Sequence, residues 1–254
     1  MKKIYIPLIV SLPITTIAFV SCQSYKSIPE TKFDIEKIKG ISAIKATISK
    51  WTDGDTAEIE FSENKNFASP GLKKNIRIEF IDTPEMGIKS DGNYKKTEGI
   101  EREWAEKVTE YAKEILPKGK ELLYVFSGTK PIGSYNRIVG SFYYKDDSGK
   151  WINYSTEIIA AGLSIPTYDT ESFGDDSKIG FYEAPKAWKA FNEAWKNQRG
   201  FYKGIKYLDY ESLLKKLESI YGKHGAAGIE FMRDEFYNKY MYVYNSLKSD
   251  KTDE

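Results

Sequence analysis

The sequence predicts an α+β fold, in which a five-stranded β unit carries packed helices and a helical addition at the C-terminal end. Three observations predict it. Five runs read as strands, and one of them, residues 76–81, alternates apolar with charged residues at the two-residue period of a half-buried strand. One stretch of helical spacing falls between the third and fourth of them, an arrangement that an open Greek-key barrel accommodates. After residue 204 the apolar spacing is helical. At 254 residues, with 41% apolar and 30% charged, the chain has core material enough to fold without disulfides.

The chain opens on Lys2 and Lys3, runs uncharged from Ile4 to Ser21 and reaches its only cysteine at Cys22. A basic start followed by an apolar stretch is the pattern of a bacterial export signal. Ser21 before Cys22 resembles a lipoprotein signal, which implies a lipid on Cys22, although Phe19 stands where that signal usually has leucine. The alternative is an uncleaved membrane anchor, since 18 uncharged residues just reach spanning length. Either reading exports the remainder on a membrane tether facing the extracellular side, and neither leaves a thiol for chemistry. Without Lys2 and Lys3, the 38 basic residues become 36, against 37 acidic ones. Affinity for nucleic acid must therefore come from a local basic patch. Residues 23–40 are polar and aperiodic and read as tether, ahead of a domain at 41–204 and a helical extension at 205–254.

Within the domain, residues 43–51 and 57–61 are strand-like and flank the turn formers of Asp53-Gly54-Asp55-Thr56, which makes them a hairpin. Residues 62–74 read as a loop, and 76–81 as a third strand that delivers Arg77 to one face. Residues 86–97 read as a long loop before a helix in which Trp104, Val108, Tyr111 and Ile115 recur at helical spacing; Pro117 and Gly119 end it. Strands follow at 121–126 and 138–144, then helices at 151–162 and 184–198, the last with Trp188, Phe191 and Trp195 as its apolar face. In the extension, Leu213, Leu214, Leu217, Ile220 and Tyr221 form one stripe and Ile229, Met232, Phe236, Tyr240 and Tyr244 another, as in a helical hairpin buried on the domain or on itself.

The chemistry concentrates where the third strand stops. Pro84 has no amide hydrogen and biases Thr83 towards an extended backbone, which fixes how the Asp82 carboxylate and the Thr83 carbonyl leave the strand end. Oxygen ligands on a rigid corner suit a hard cation. Asp82, the Thr83 carbonyl and Asp55 from the hairpin supply three such oxygens, with waters completing a calcium-type shell, and Glu85 stands one step outside for proton work.

Set beside the Asp53–Thr56 run and the later Tyr135, Asn136 and Arg137, the stretch Arg77, Asp82, Thr83, Pro84, Glu85 resembles the staphylococcal nuclease (thermonuclease) family. The order of pieces matches over residues 46–202. The resemblance implies an oligonucleotide-binding barrel, calcium dependence, and hydrolysis of DNA and RNA to 3′-phosphates. It implies Asp55, Asp82 and Thr83 as calcium ligands, Arg77, Glu85 and Arg137 as catalytic residues, and Tyr135 and Tyr168 lining the nucleotide pocket. Two positions depart from the family: Gly133 replaces an aspartate four residues before the second arginine, and Asn136 replaces a glycine. Asparagine visits the left-handed region that such a glycine serves.

Chemistry gives these side chains the same roles. Phosphodiester hydrolysis brings water to an anionic phosphorus, so a dication on one oxygen and planar, permanently charged guanidiniums on the others stabilise the added charge. Glu85 either accepts the proton of the attacking water or positions that water and the arginines. The plainer alternatives are turn residues for Asp53 and Asp55, a surface ion pair of Arg77 with Glu79, and packing for Tyr135. His224, the only histidine, lies near glycines, and the lack of another histidine or cysteine argues against zinc. The rival function is a non-catalytic surface lipoprotein that binds single-stranded nucleic acid or a host partner. A weaker third reading makes the helical extension a partner-docking module.

Overall fold

Two strands pair directly with β1 (Ile41–Trp51), whose side chains Ile44, Ala46 and Ile48 are buried at alternate positions. The structure, a computed structural model, describes residues 35, 39–90, 93–134, 137–168, 171–222 and 234–249. The expected export signal with Cys22, most of the tether, Tyr135, Asn136, His224, Ile229 and Met232 lie outside the described residues. Among those described, no helix is long and apolar enough to cross a membrane.

The first part of β1 pairs antiparallel with β7 (Glu121–Ser127), and its later part with β2 (Thr56–Phe61). Next to β2 runs β3 (Lys73–Ile78), antiparallel, and β3 lies parallel to β9 (Arg137–Lys145), which pairs antiparallel with β7. The pairings of these five strands thus return to their starting point. β8 (Gly133–Ser134) and β10 (Trp151–Asn153) add to β9. A register slip between Ile48 and Lys50 shifts the buried phase of β1 by one residue, from Ile48 to Trp51. The Trp51 ring therefore turns inward against Phe142 and Tyr154, and its Nε1 donates to the Leu116 carbonyl at 2.9 Å.

Five helices among the described residues complete a mixed α+β fold: α1 (Gly99–Ile115), α2 (Tyr154–Ala160), α3 (Ile179–Lys196), α4 (Tyr210–Tyr221) and α5 (Asp234–Ser249). One hydrophobic core joins the main strands to the helices, and α4 and α5 send Leu213, Leu217, Ile220, Phe236 and Tyr240 into it. The buried face of α1 centres on Ala105, Val108 and Ala112, so Trp104, Tyr111 and Ile115 flank it rather than form it.

Three expectations need correction. The third strand does not run to Ile81: it breaks at Glu79 and Phe80 and resumes as β4 (Ile81–Asp82), which pairs with β11 (Ile165–Pro166). Residues 86–97 are not a plain loop, because β5 (Gly87–Ser90) and β6 (Asn93–Lys96) pair as a hairpin. The helix expected at 151–162 begins only at Tyr154; Asn153 ends β10 and caps α2 by accepting the Thr156 amide at 3.0 Å.

Pro185 sits inside α3, further from its start than the sequence implied. Proline has no amide hydrogen, so the Phe181 carbonyl one turn earlier loses its helical partner. Tyr240 of α5 supplies one, donating from its hydroxyl to Phe181 O at 2.7 Å in a fully buried contact. Tyr240→Phe removes the donor and keeps the ring. It is expected to cost about 1–3 kcal/mol, the cost of a buried polar group left without its bond. The thermal midpoint, read by circular dichroism, should fall by several degrees.

Candidate active site

The corner between β3 and β4 is built by a strained residue and held by hydroxyls. Phe80 adopts a left-handed backbone, φ 70°, which is costly for a bulky side chain and needs support from its surroundings. Its ring stacks on Tyr168 with centroids 4.5 Å apart and planes 7° from parallel. Around it the carbonyls are tied down: Ser155 donates to Glu79 O at 2.8 Å, the Thr167 amide to Phe80 O at 3.0 Å, and Ser164 and Tyr221 to Asp82 O at 2.8 and 2.7 Å. The kink re-aims the chain so that Arg77 and Asp82, five residues apart, meet.

Asp55 is the hub of the site. It is fully buried; its Oδ2 accepts the Thr83 amide at 2.9 Å and the Thr83 hydroxyl at 3.0 Å, while Oδ1 accepts the Thr56 hydroxyl at 3.0 Å and faces Arg77 Nη1. Arg77 Nη2 donates to Asp82 Oδ1 at 2.7 Å. One guanidinium therefore bridges both predicted metal-ligand carboxylates. Burial works against the charge on Arg77, but Asp55 and Asp82 outweigh it and raise its pKa.

Arg137 joins the same group. β3 and β9 run parallel with Arg77 beside Val139, so Arg137, two residues earlier, projects from the same face as Arg77. Its Nη1 donates to the Thr56 hydroxyl at 3.0 Å, and that hydroxyl donates onward to Asp55. Gly133 does not leave this segment unanchored: β8 pairs Ser134 with Arg137, and the Val139 amide donates to Ile132 O at 2.9 Å.

Glu85 completes the cluster. Burial first, then the charge of Asp55, push its pKa up to about 7, with Arg77 and Arg137 pulling the other way. Its backbone is fixed by the Thr97 hydroxyl on its carbonyl. Asp53, 4% exposed, is also pushed well above the usual carboxylate range by burial, Asp55 and Glu85, and its Oδ1 accepts the Asp55 amide at 3.2 Å. Four carboxyl groups thus face two guanidiniums.

Those surroundings fit a hard dication. Every donor is oxygen, and the crowding that raises Asp53 and Glu85 is what a bound positive charge would relieve. Among the described residues no three acidic, histidine or cysteine side chains form a metal cluster; the expected set is two carboxylates, Asp55 and Asp82, with the Thr83 carbonyl.

Of the expected site residues, Arg77, Asp82, Thr83, Glu85, Asp55 and Arg137 are brought together. Tyr168 is not beside them as an open wall: it is 3% exposed, between Phe80 and Phe236. The fused aromatic packing behind the corner explains its position. Sequence reasoning missed Thr56, Ser164 and Tyr221 as parts of the site. Thr56 was within reach, as the last residue of the turn motif, whereas the contacts of Ser164 and Tyr221 span 82 and 139 residues.

Glu79, at the same corner, also has a raised pKa, about 7 against an ordinary 4.5, chiefly from burial, with the Ser141 hydroxyl bond and Lys178 opposing. Between those values the folded chain holds a proton that the unfolded chain has released. Glu79 therefore lowers stability as pH rises from about 4.5 through about 7, with no further loss above. Glu79→Gln should show a flatter fall than the parent across that window when denaturant midpoints are measured pH by pH.

No protein-family model matches the chain. It is similar to the uncharacterized lipoprotein MG186 of Mycoplasma genitalium, with 27% identity over 82% of this chain and 76% of the relative. It is also similar to the homolog of that lipoprotein in Mycoplasma pneumoniae, with 29% identity over 63% of this chain and 67% of the relative.

Proposed function

We propose that the protein is a calcium-dependent, sugar-nonspecific nuclease, held at the outer face of the membrane by a lipid on Cys22. The observation that carries this reading is the convergence of Asp55, Asp82, Thr83, Glu85, Arg77 and Arg137 around one corner, through contacts that span the β1–β2 turn, the β3–β4 kink and the start of β9. The closed circuit of strand pairings, with β3 parallel to β9, supports an oligonucleotide-binding barrel beneath that corner. The lipoprotein names of the relatives support the anchor.

In this reading Asp55, Asp82 and the Thr83 carbonyl would hold calcium, which when bound would supply Lewis-acid polarisation of a phosphoryl oxygen. Arg77 and Arg137 meet the remaining oxygens, where planar donors match developing charge. Glu85 takes the proton of a water whose oxygen bonds to phosphorus. The bond to the 5′ oxygen breaks, that oxygen takes a proton from solvent, and the products are a 3′-phosphate and a 5′-hydroxyl. A binding-only module gains nothing from a glutamate crowded beside two aspartates, which disfavours the non-catalytic alternative.

The test is digestion of plasmid DNA and of RNA by the full chain in detergent. Both substrates should be cut with calcium present and spared with a chelator. Cutting that ignores the chelator would overturn the metal assignment, and activity that survives Arg77→Ala combined with Glu85→Gln would overturn the site.

A further inference from the structure

Away from that corner, a cleft of about 580 Å³ opens where the early part of β1, the start of β7 and the end of β9 come together. Lys45, Lys120, Lys145, Glu121, Ser62 and Trp151 line it. Three ammonium groups share the space with a single carboxylate. None of the three belongs to the ion pairs formed among the described residues. Trp151 is half-buried, and the Lys145 ammonium lies over its ring, 5.0 Å from the centroid, in a cation–π contact.

Lysines outside ion pairs, with an aromatic ring in the same concavity, are the elements of a single-strand binding site: the cations follow the phosphates and the ring takes a base. We propose that this cleft is a second nucleic-acid site, which grips single-stranded substrate away from the scissile bond, with phosphates on Lys45, Lys120 and Lys145 and a base that takes the place of the Lys145 ammonium on the Trp151 ring. The choice of polymer rests on the nuclease reading. β1 sets the separation: Lys45 lies at the cleft, and Trp51 adjoins the turn that carries Asp55. Six residues of strand put about 20 Å between them. A polymer can occupy both sites, whereas a small phosphodiester reaches only one. The concavity and the ring favour nucleic acid over an anionic lipid surface, which needs neither.

The experiment is fluorescence anisotropy of a labelled oligothymidylate with the full chain in detergent and chelator present, so that binding is read without cleavage. Lys45→Gln, Lys120→Gln and Lys145→Gln combined should weaken binding roughly tenfold or more and flatten the slope of log affinity against log salt by about 2, the share of three single-strand phosphate contacts. Trp151→Leu should weaken binding several-fold with the salt slope unchanged. Cleavage of a small chromogenic phosphodiester in calcium should be the same in the triple variant as in the parent. Thermal midpoints check folding, and Lys120→Gln alone, at an exposed position, should show a smaller effect of the same sign. The proposal falls if the triple variant binds oligothymidylate as the parent does. It also falls if the triple variant loses only its binding to phosphatidylglycerol vesicles. Lysine-dependent binding by a protein that cleaves nothing would keep the cleft and remove the nuclease reading.

Discussion

Arg77→Lys is expected to lower the rate of nucleic-acid cleavage by about three orders of magnitude while the chain stays folded. The reason is geometric. Arg77 spends one terminal nitrogen on Asp55 and the other on Asp82 at 2.7 Å, and reaches towards Ile81 O at 3.4 Å. A lysine has one compact charge and no fork, so it holds one carboxylate at a time and leaves the other to swing. The fold should survive, because Asp55 keeps both Thr83 donors and the Thr56 hydroxyl. Initial rates on plasmid and RNA at saturating calcium, with thermal melts of the same preparations, check both halves of this expectation. A lysine variant that cuts at the parental rate would remove Arg77 from the chemistry.

The second large effect belongs to Gly54, in the turn between β1 and β2. A Cβ there would stand 2.2 Å from a methyl of Val108 and 3.0 Å from the Thr83 methyl. Val108 is fully buried on α1 and cannot step aside, and the Gly54 carbonyl already accepts the Tyr154 hydroxyl at 2.7 Å. Gly54→Ala should therefore destabilise the protein by about 1–3 kcal/mol through overpacking. It should also impair cleavage, because the turn that moves carries Asp55. Adding Val108→Ala opens the space, so the double variant should be more stable than the sum of the single losses requires. Equal melting of Gly54→Ala and the parent would mean that the turn does not pack this tightly on α1.

Much of this site was legible because its key residues are close in sequence and chemically marked. The turn at residues 53–56 declares itself by its aspartates and glycine, and Pro84 declares the corner. The main strands were legible for a different reason: β1 and β2 bury alternate residues, and β7 is a short run of apolar residues buried at consecutive positions. The Phe80 kink left no such trace. A phenylalanine gives no signal of a left-handed backbone, and what stabilises it, the stack on Tyr168, is 88 residues away. The β5–β6 hairpin was hidden because its second strand, Asn93–Lys96, is exposed throughout and has no pattern to keep. The helix expected from residue 184 starts at Ile179, with Pro185 inside it; the compensating hydroxyl of Tyr240 lies outside any local window. Asn153 was the missed clue that could have been read, since an asparagine three residues before Thr156 marks a helix start.

The Tyr221 hydroxyl on Asp82 O joins the last residue of α4 to a metal-ligand candidate 139 positions upstream. The C-terminal segment is thus a keystone rather than an outbuilding. A fragment that stops before α4 would possess every acid and arginine of the corner, yet its Asp82 carbonyl would keep the Ser164 hydroxyl and lose that of Tyr221, and the vault would be weakened on that side.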